Sequence, residues 1–213
     1  MQDTRSNAKV KLSYFDFSGS RGEECRLALH LAGIDFHDNR IKGKDWPAKK
    51  PGTPFGGVPV LEIAGLGVLA QSNAILGFIG AQHGLLPDDA FEAARHHAIL
   101  NAVEDVTTRI APALRLDGDA KKAAREELGA GYLKHWSGNL EAMIVGPFVA
   151  GEWISVADIK LYVLICWIER GYVDHIPPGY FADFAKLFAL YRAVGSHPKV
   201  VEFENREPQV TVL

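Results

Sequence analysis

The chain has 213 residues, 47% hydrophobic and 23% charged, and Lys+Arg 23 against Asp+Glu 26 leaves a net charge of −3. That is material for one large domain or two small ones with an ample core, and the slight acidity argues against nucleic acid or an anionic membrane as a partner. No apolar run approaches a bilayer span, the polar stretch Met1 to Ala8 lacks the apolar core of a secretory signal, and Cys25 and Cys166 have neither metal-ligand nor disulfide-framework spacing, which fits a reducing, cytoplasmic compartment.

Residues 1–8 read as a flexible tail. Val10 to Phe15 alternates and ends in aromatics, a strand. Ser18-Gly-Ser-Arg-Gly22 reads as a turn, and Glu23 to Ala32 as a helix stopped by Gly33. Asp35 to Ile41 reads as a second strand. Lys42 to Thr53, basic and rich in Pro and Gly around Trp46, reads as an irregular, partly helical loop. Val58 to Ile63 and Val68 to Ala70 form a hairpin around Ala64-Gly-Leu-Gly67, and Ser72 to Gln82 is a helix closed by Gly84. The order β-α-β, then β-β-α, makes 9–83 a small mixed α/β domain.

Residues 84–90, with a glycine, a proline and two aspartates, read as a linker. Beyond it the strand signal fades, and 91–205 reads as all-helical. Phe91 to Leu116 and Ala120 to Ile144 carry helical apolar stripes. Ser155 to Arg170 is apolar nearly all round, hence central, and opens on Ser155-Val-Ala-Asp158, a capping box with Ile154 and Ile159 placed for a hydrophobic staple. Phe181 to Val194 and His197 to Glu204 complete the set, and 206–213 reads as a tail.

Two features of the first domain carry chemistry. Val58-Pro59 enters a strand directly, where a proline cannot donate to the ladder. Gln71-Ser72 sits where a strand ends and a helix begins; Ser72 as N-cap would leave the first helix amides facing an anion-sized space. Together they describe a cradle for an extended peptide bearing a carboxylate. His96 and His97 have no metal spacing, no metal is expected, and no Cys-x-x-Cys follows the first strand, which argues against dithiol redox chemistry.

The ordered set Leu12-Ser-Tyr-Phe-Asp16, Arg21-Gly-Glu23, Asp45-Trp-Pro47, Pro54-Phe-Gly-Gly-Val-Pro-Val-Leu61 and Ala70-Gln-Ser72 resembles a cytosolic glutathione S-transferase, nearest to the sigma-like class, over roughly Lys9 to Asn205. The resemblance implies a thioredoxin-like α/β N-terminal domain followed by an all-α C-terminal domain. It implies that the Val58-Pro59 bond is cis and that Val58, with Gly57 and Pro59, pairs with the cysteinyl part of glutathione as an added strand. By the same carry-over, Gln71 and Ser72 take the γ-glutamyl carboxylate, Trp46 and Lys50 the glycyl carboxylate, and Asp105 of a partner subunit in a homodimer the γ-glutamyl ammonium. Glu104 is the neighbouring alternative.

Tyr14, ending the first strand, matches the tyrosine whose phenol stabilises the glutathione thiolate, and Arg21 lies where a cation favours that anion. The turn between Tyr14 and Arg21 is one residue longer than the sigma-like pattern, so Ser18 and Ser20 stand as alternative donors. The implied electrophile site lies near Phe17, Thr108, Ile110 and Val163. The implied function is conjugation of glutathione to a small hydrophobic electrophile, in a detoxifying role. The same thiolate also serves an isomerase or peroxidase, and the same fold serves non-catalytic structural or ligand-binding proteins. The sequence does not name the electrophile.

Overall fold

The computed structural model describes residues 9–206, so the expected tail at 1–8, and that at 206–213 apart from Arg206, lie outside the described residues. Contacts divide the chain into two compact units. One takes in the described residues up to Leu86 together with Pro198 onward; the other is Pro87–His197. The last helix groups with the first unit, not with the all-helical region expected to extend to 205.

In the first unit the strands are β1 (Val10–Phe15), β2 (His37–Ile41), β3 (Val60–Ile63) and β4 (Gly67–Ala70). They form one sheet in the order β2-β1-β3-β4, with β1 and β2 parallel and the other two pairings antiparallel. Parallel neighbours need a crossover, and α1 (Ser20–Leu31) supplies it. The short α2 (Trp46–Lys49) lies between 3-10 turns at Gly43–Asp45 and Lys50–Gly52, as the Pro- and Gly-rich composition requires. The hairpin β3–β4 feeds α3 (Ser72–His83), whose C-cap Gly84 is left-handed at φ 69°, a conformation glycine enters without steric cost. Leu12, Leu27, Leu61, Ile75, Leu76 and Ile79 are almost wholly buried and form this unit's core.

Helix α1 begins at Ser20, three residues before the expected Glu23. Gly19 at φ 101° and Ser20 at φ 56° fold the supposed turn into the first helical turn, a left-handed step that a serine does not advertise. Strand β3 starts at Val60 rather than Val58, because the ladder begins after the proline.

In the second unit α4 (Ala90–Ile110) opens on Asp89, whose carboxylate accepts from the Phe91 and Glu92 amides at 3.0 and 2.9 Å. The helix expected to run to Leu116 ends at Ile110, and a 3-10 turn containing Pro112 follows. The single helix expected over Ala120 to Ile144 is α5 (Gly118–Leu128), a π turn at Gly129–Leu133 and α6 (Lys134–Glu141). Two glycines in five residues loosen the 3.6-residue ladder there. Helix α7 (Val156–Glu169) packs against α4 and against α8 (Ala185–Gly195). It is buried along nearly its whole length, including Lys160, whose Nζ lies 3.4 Å from Glu104 on α4. The last helix, α9 (Pro198–Arg206), belongs to the first unit, where Lys199 Nζ donates to the Leu31 carbonyl at 3.0 Å and Phe203 lies 5.5 Å from the His30 ring. No helix among the described residues is long and apolar enough to cross a membrane.

Candidate active site

The sheet register gathers the singled-out residues of the first unit. Ser13 stands opposite Val60, and Val60 opposite Ala70. One step further along these three strands come Tyr14, Pro59 and Gln71; two steps further come Phe15, Val58 and Ser72. On the other flank Tyr14 pairs with Arg40 and Phe15 with Ile41, after which the chain enters the loop that carries Trp46 and Lys50. All of them therefore collect at the carboxyl end of the parallel pair β1 and β2, the end at which open α/β sheets place their ligands.

At this end the Val58-Pro59 bond is cis. Val58 and Gly57 are half-buried and Pro59 is buried. Gln71 has φ 74° and ψ 119°, outside the comfortable regions for a residue with a Cβ, and its carbonyl accepts the first helical bond, from Ile75 N–H at 3.0 Å. Ser72, expected as the N-cap, is instead the first residue inside α3, and Gln71 is the cap, because the chain turns one residue earlier. Ser72 is 3% exposed. The strained backbone at Gln71 is of the kind that persists where the surroundings over-determine it, commonly at a binding site. The Trp46 ring meets Phe15 edge-on at 5.2 Å. Lys50 is exposed, and its Cε lies 3.5 Å from where a Cβ on Gly56 would stand, so its stem runs along the segment leading to Val58.

Tyr14 remains on its strand despite the longer turn. Its ring is 3% exposed and lies 5.5 Å from both Phe15 and Phe17. Its hydroxyl is hydrogen-bonded to the Ser20 side chain. Burial pushes the phenol above its ordinary value of 10.0; the Ser20 hydrogen bond and the charges of Arg21 and Arg26 pull against it, and Glu24 adds to it. The phenol therefore keeps its proton at neutral pH and is available as a donor. Ser18 and Arg21 are half-buried in the same turn.

Two contributors escaped the sequence reading. Arg26, fully buried on α1, donates through Nη2 to the Phe15 carbonyl at 3.2 Å and through Nη1 to the Phe17 carbonyl at 3.1 Å. Its Nε faces both Asp38 oxygens at 3.1 Å. One guanidinium thus fixes the backbone just after Tyr14, a task its rigid fork of donors suits. The signal was an arginine set directly between Cys25 and Leu27 in an otherwise apolar stretch. The second is Gly22. A Cβ there would stand 2.0 Å from Tyr14 Cδ1, so the helix can lie against the ring only because that residue has no side chain. Gly22→Ala is expected to displace the ring and to cost about 1–3 kcal/mol by overpacking. Thermal denaturation should show a lowered midpoint together with reduced turnover; a wild-type midpoint and rate would mean that the ring does not need the space.

In the second unit Asp105 and Thr108 are exposed on α4, and the Asp105 carbonyl accepts from Arg109 Nη1 at 3.1 Å. Glu104 is engaged with Lys160. Ile110 and Val163, expected beside the electrophile, are 0% and 4% exposed. Both are core side chains, since each lies on its helix's apolar stripe.

A profile of the glutathione S-transferase N-terminal domain matches residues 21–82, and one of the C-terminal domain matches residues 104–207. Glutathione S-transferase 1 of Ascaris suum is 44% identical over 161 residues, 72% of this chain and 77% of that one. The chain belongs to the glutathione S-transferase family. The hematopoietic prostaglandin D synthase of Gallus gallus is 36% identical over 204 residues, 95% of this chain and 98% of that one. The solved structure of a sigma class glutathione transferase from Fasciola hepatica, 24% identical, superposes with a TM-score of 0.82 over 95% of this chain and 98% of that one, a likeness of fold. The N-terminal family match lies wholly within the unit that holds Tyr14, the cis proline and Gln71-Ser72, and glutathione is the co-substrate for which the family is named.

Proposed function

We propose that this transferase binds glutathione at the carboxyl end of β1 and β2 and holds it as the thiolate by a hydrogen bond from Tyr14. The single observation that supports this most is the register Ser13–Val60–Ala70, from which Tyr14, Pro59 and Gln71 each lie one residue further on. The Val58 backbone takes the cysteinyl segment as an added strand. Gln71, Ser72 and the first amides of α3 receive the γ-glutamyl carboxylate. Trp46 and Lys50 take the glycyl carboxylate, and the charge of Arg21 supports the anion at the sulfur. The sulfur then attacks an electrophilic carbon of a small hydrophobic substrate near Phe17; the new bond is S–C, and the leaving group departs with its electron pair. A cytoplasmic detoxifying role and a homodimer in which Asp105 of a partner subunit reaches the γ-glutamyl ammonium complete the reading.

Retention on immobilised glutathione together with conjugation of a chromogenic aryl halide is the expected result; retention without turnover would instead indicate a non-catalytic binder. The likeness to a prostaglandin D synthase favours a second reading, an isomerase using the same thiolate. Formation of prostaglandin D with no consumption of glutathione would establish it. Sedimentation is expected to give a dimer, and a monomer would remove Asp105 from the site.

A further inference from the structure

Ser20 occupies a backbone position that suits it poorly. Its φ of 56° lies in the left-handed region, which glycine enters freely and a side chain does not. The residue before it is already Gly19 at φ 101°, and two residues on stands Gly22. A third glycine would make the turn easier to form. In its place stands a hydroxyl, on a residue only 8% exposed, bonded to the phenol of a tyrosine only 3% exposed. The charged groups facing that phenol are Arg21, Glu24 and Arg26, the last with Cζ 5.8 Å from the ring centroid. They are of mixed sign, so the Ser20 hydroxyl is the group with directional control of the phenolic oxygen.

We infer that Ser20 is a positioning residue for the thiol-activating tyrosine, its hydroxyl donating to the Tyr14 oxygen so that the phenol's own proton is turned to the sulfur. This rests on the reading of Tyr14 given above. The chain is Ser20 Oγ–H to Tyr14 Oη, and Tyr14 Oη–H to S⁻. A phenol has one proton and two lone pairs. With a lone pair engaged by Ser20, rotation about the C–O bond no longer averages the proton's direction, and each hydrogen bond of the chain polarises the next. Ser20 touches neither reactant; it acts through Tyr14. The backbone strain at position 20 is the structural trace of that role, because the same turn without the hydroxyl would be easier to build.

Ser20→Gly tests this cleanly. Glycine suits φ 56°, so the variant is expected to melt at or above the wild-type temperature, and Ser20→Ala, which keeps the strain, serves as its partner. In both, the acid constant of the bound glutathione thiol, read by ultraviolet difference spectra across a pH series, is expected to fall about three- to tenfold, the factor carried by one hydrogen bond. The acid limb of kcat/KM for the electrophile, measured at saturating glutathione, moves to higher pH by the same factor. In a Tyr14→Phe background Ser20→Gly is expected to do nothing further. If Tyr14→Phe shifts the thiol and Ser20→Gly does not, the role of Ser20 is overturned and that of Tyr14 stands. Additive effects would also overturn it, since Ser20 would then act on the sulfur without Tyr14. A shift in Ser20→Gly with none in Tyr14→Phe would make serine the direct donor and overturn both, and no shift in either would overturn the thiolate reading itself.

Discussion

Tyr14→Phe is expected to lower kcat/KM for conjugation by about 25-fold at pH 7, and by about 100-fold well below pH 6, and to have little effect on folding. A free thiol has a pKa of about 8.5, so only a few per cent is thiolate at neutral pH. Bringing it to about 6.5 takes about 2.7 kcal/mol, within reach of a charge-assisted hydrogen bond from a phenol in a dry pocket. Losing that donor returns the thiol toward its free value. Thiolate forms above the pKa, so the variant's rate falls furthest on the acid side and approaches the wild-type rate as pH rises past about 9. Burial holds the Tyr14 phenol above its ordinary pKa, so in the wild type the donor keeps its proton across that window. Phenylalanine keeps the ring between Gly22, Phe15 and Phe17 and gives up one hydrogen bond to Ser20, a loss of about 1 kcal/mol of stability. A pH–rate profile superposable on the wild type would remove Tyr14 from the thiol. Its displacement with melting nearly unchanged separates chemistry from scaffold.

The parts of this site that were legible in the sequence are those whose chemistry is local. A proline directly before a run of Val and Leu, and a serine opening an apolar helix, announce themselves through the donor one lacks and the hydroxyl the other offers, and Val58-Pro59 and Gln71-Ser72 do meet at one sheet end. Their exact placement was harder. Whether Ser72 or Gln71 caps α3 depends on a positive φ at a glutamine, which no propensity favours. Ser20 is the same problem: the extra residue between Tyr14 and Arg21 was visible, but its absorption by two consecutive positive-φ residues was not. Arg26 was hidden because its partners, the carbonyls of Phe15 and Phe17, are backbone groups that carry no sequence signal. The grouping of α9 with the first unit rests on a lysine reaching the last carbonyl of α1 and on a phenylalanine beside His30. Both are contacts between segments over 160 residues apart, beyond any reading of periodicity.

Asp158→Ala is expected to lower the melting temperature by about 6–20 °C, from a loss of about 3–5 kcal/mol, while leaving glutathione affinity unchanged. The carboxylate is fully buried and answers three donors: Val149 N–H at 2.8 Å, Ser155 N–H at 2.8 Å and the Ser155 hydroxyl at 2.5 Å. It closes the capping box of α7, with its own amide donating back to Ser155 Oγ at 3.4 Å, and it pins the strand-like turn at Phe148–Gly151 through Val149. Alanine would leave two backbone N–H groups unanswered in the interior, and each buried orphan costs about 1–3 kcal/mol. Burial pushes the Asp158 carboxyl above its ordinary value, against the pull of those three donors. Asp158→Asn separates acceptor count from shape: its one oxygen still serves Val149, but its NH2 meets the Ser155 N–H donor to donor, so an intermediate loss is expected. None of these partners belongs to the unit that holds Tyr14, Val58 and Ser72. The loss should therefore appear in thermal denaturation and not in glutathione binding measured well below the transition. An alanine variant that melts like the wild type would mean that water or a neighbouring group replaces the carboxylate, and that α7 does not depend on its cap.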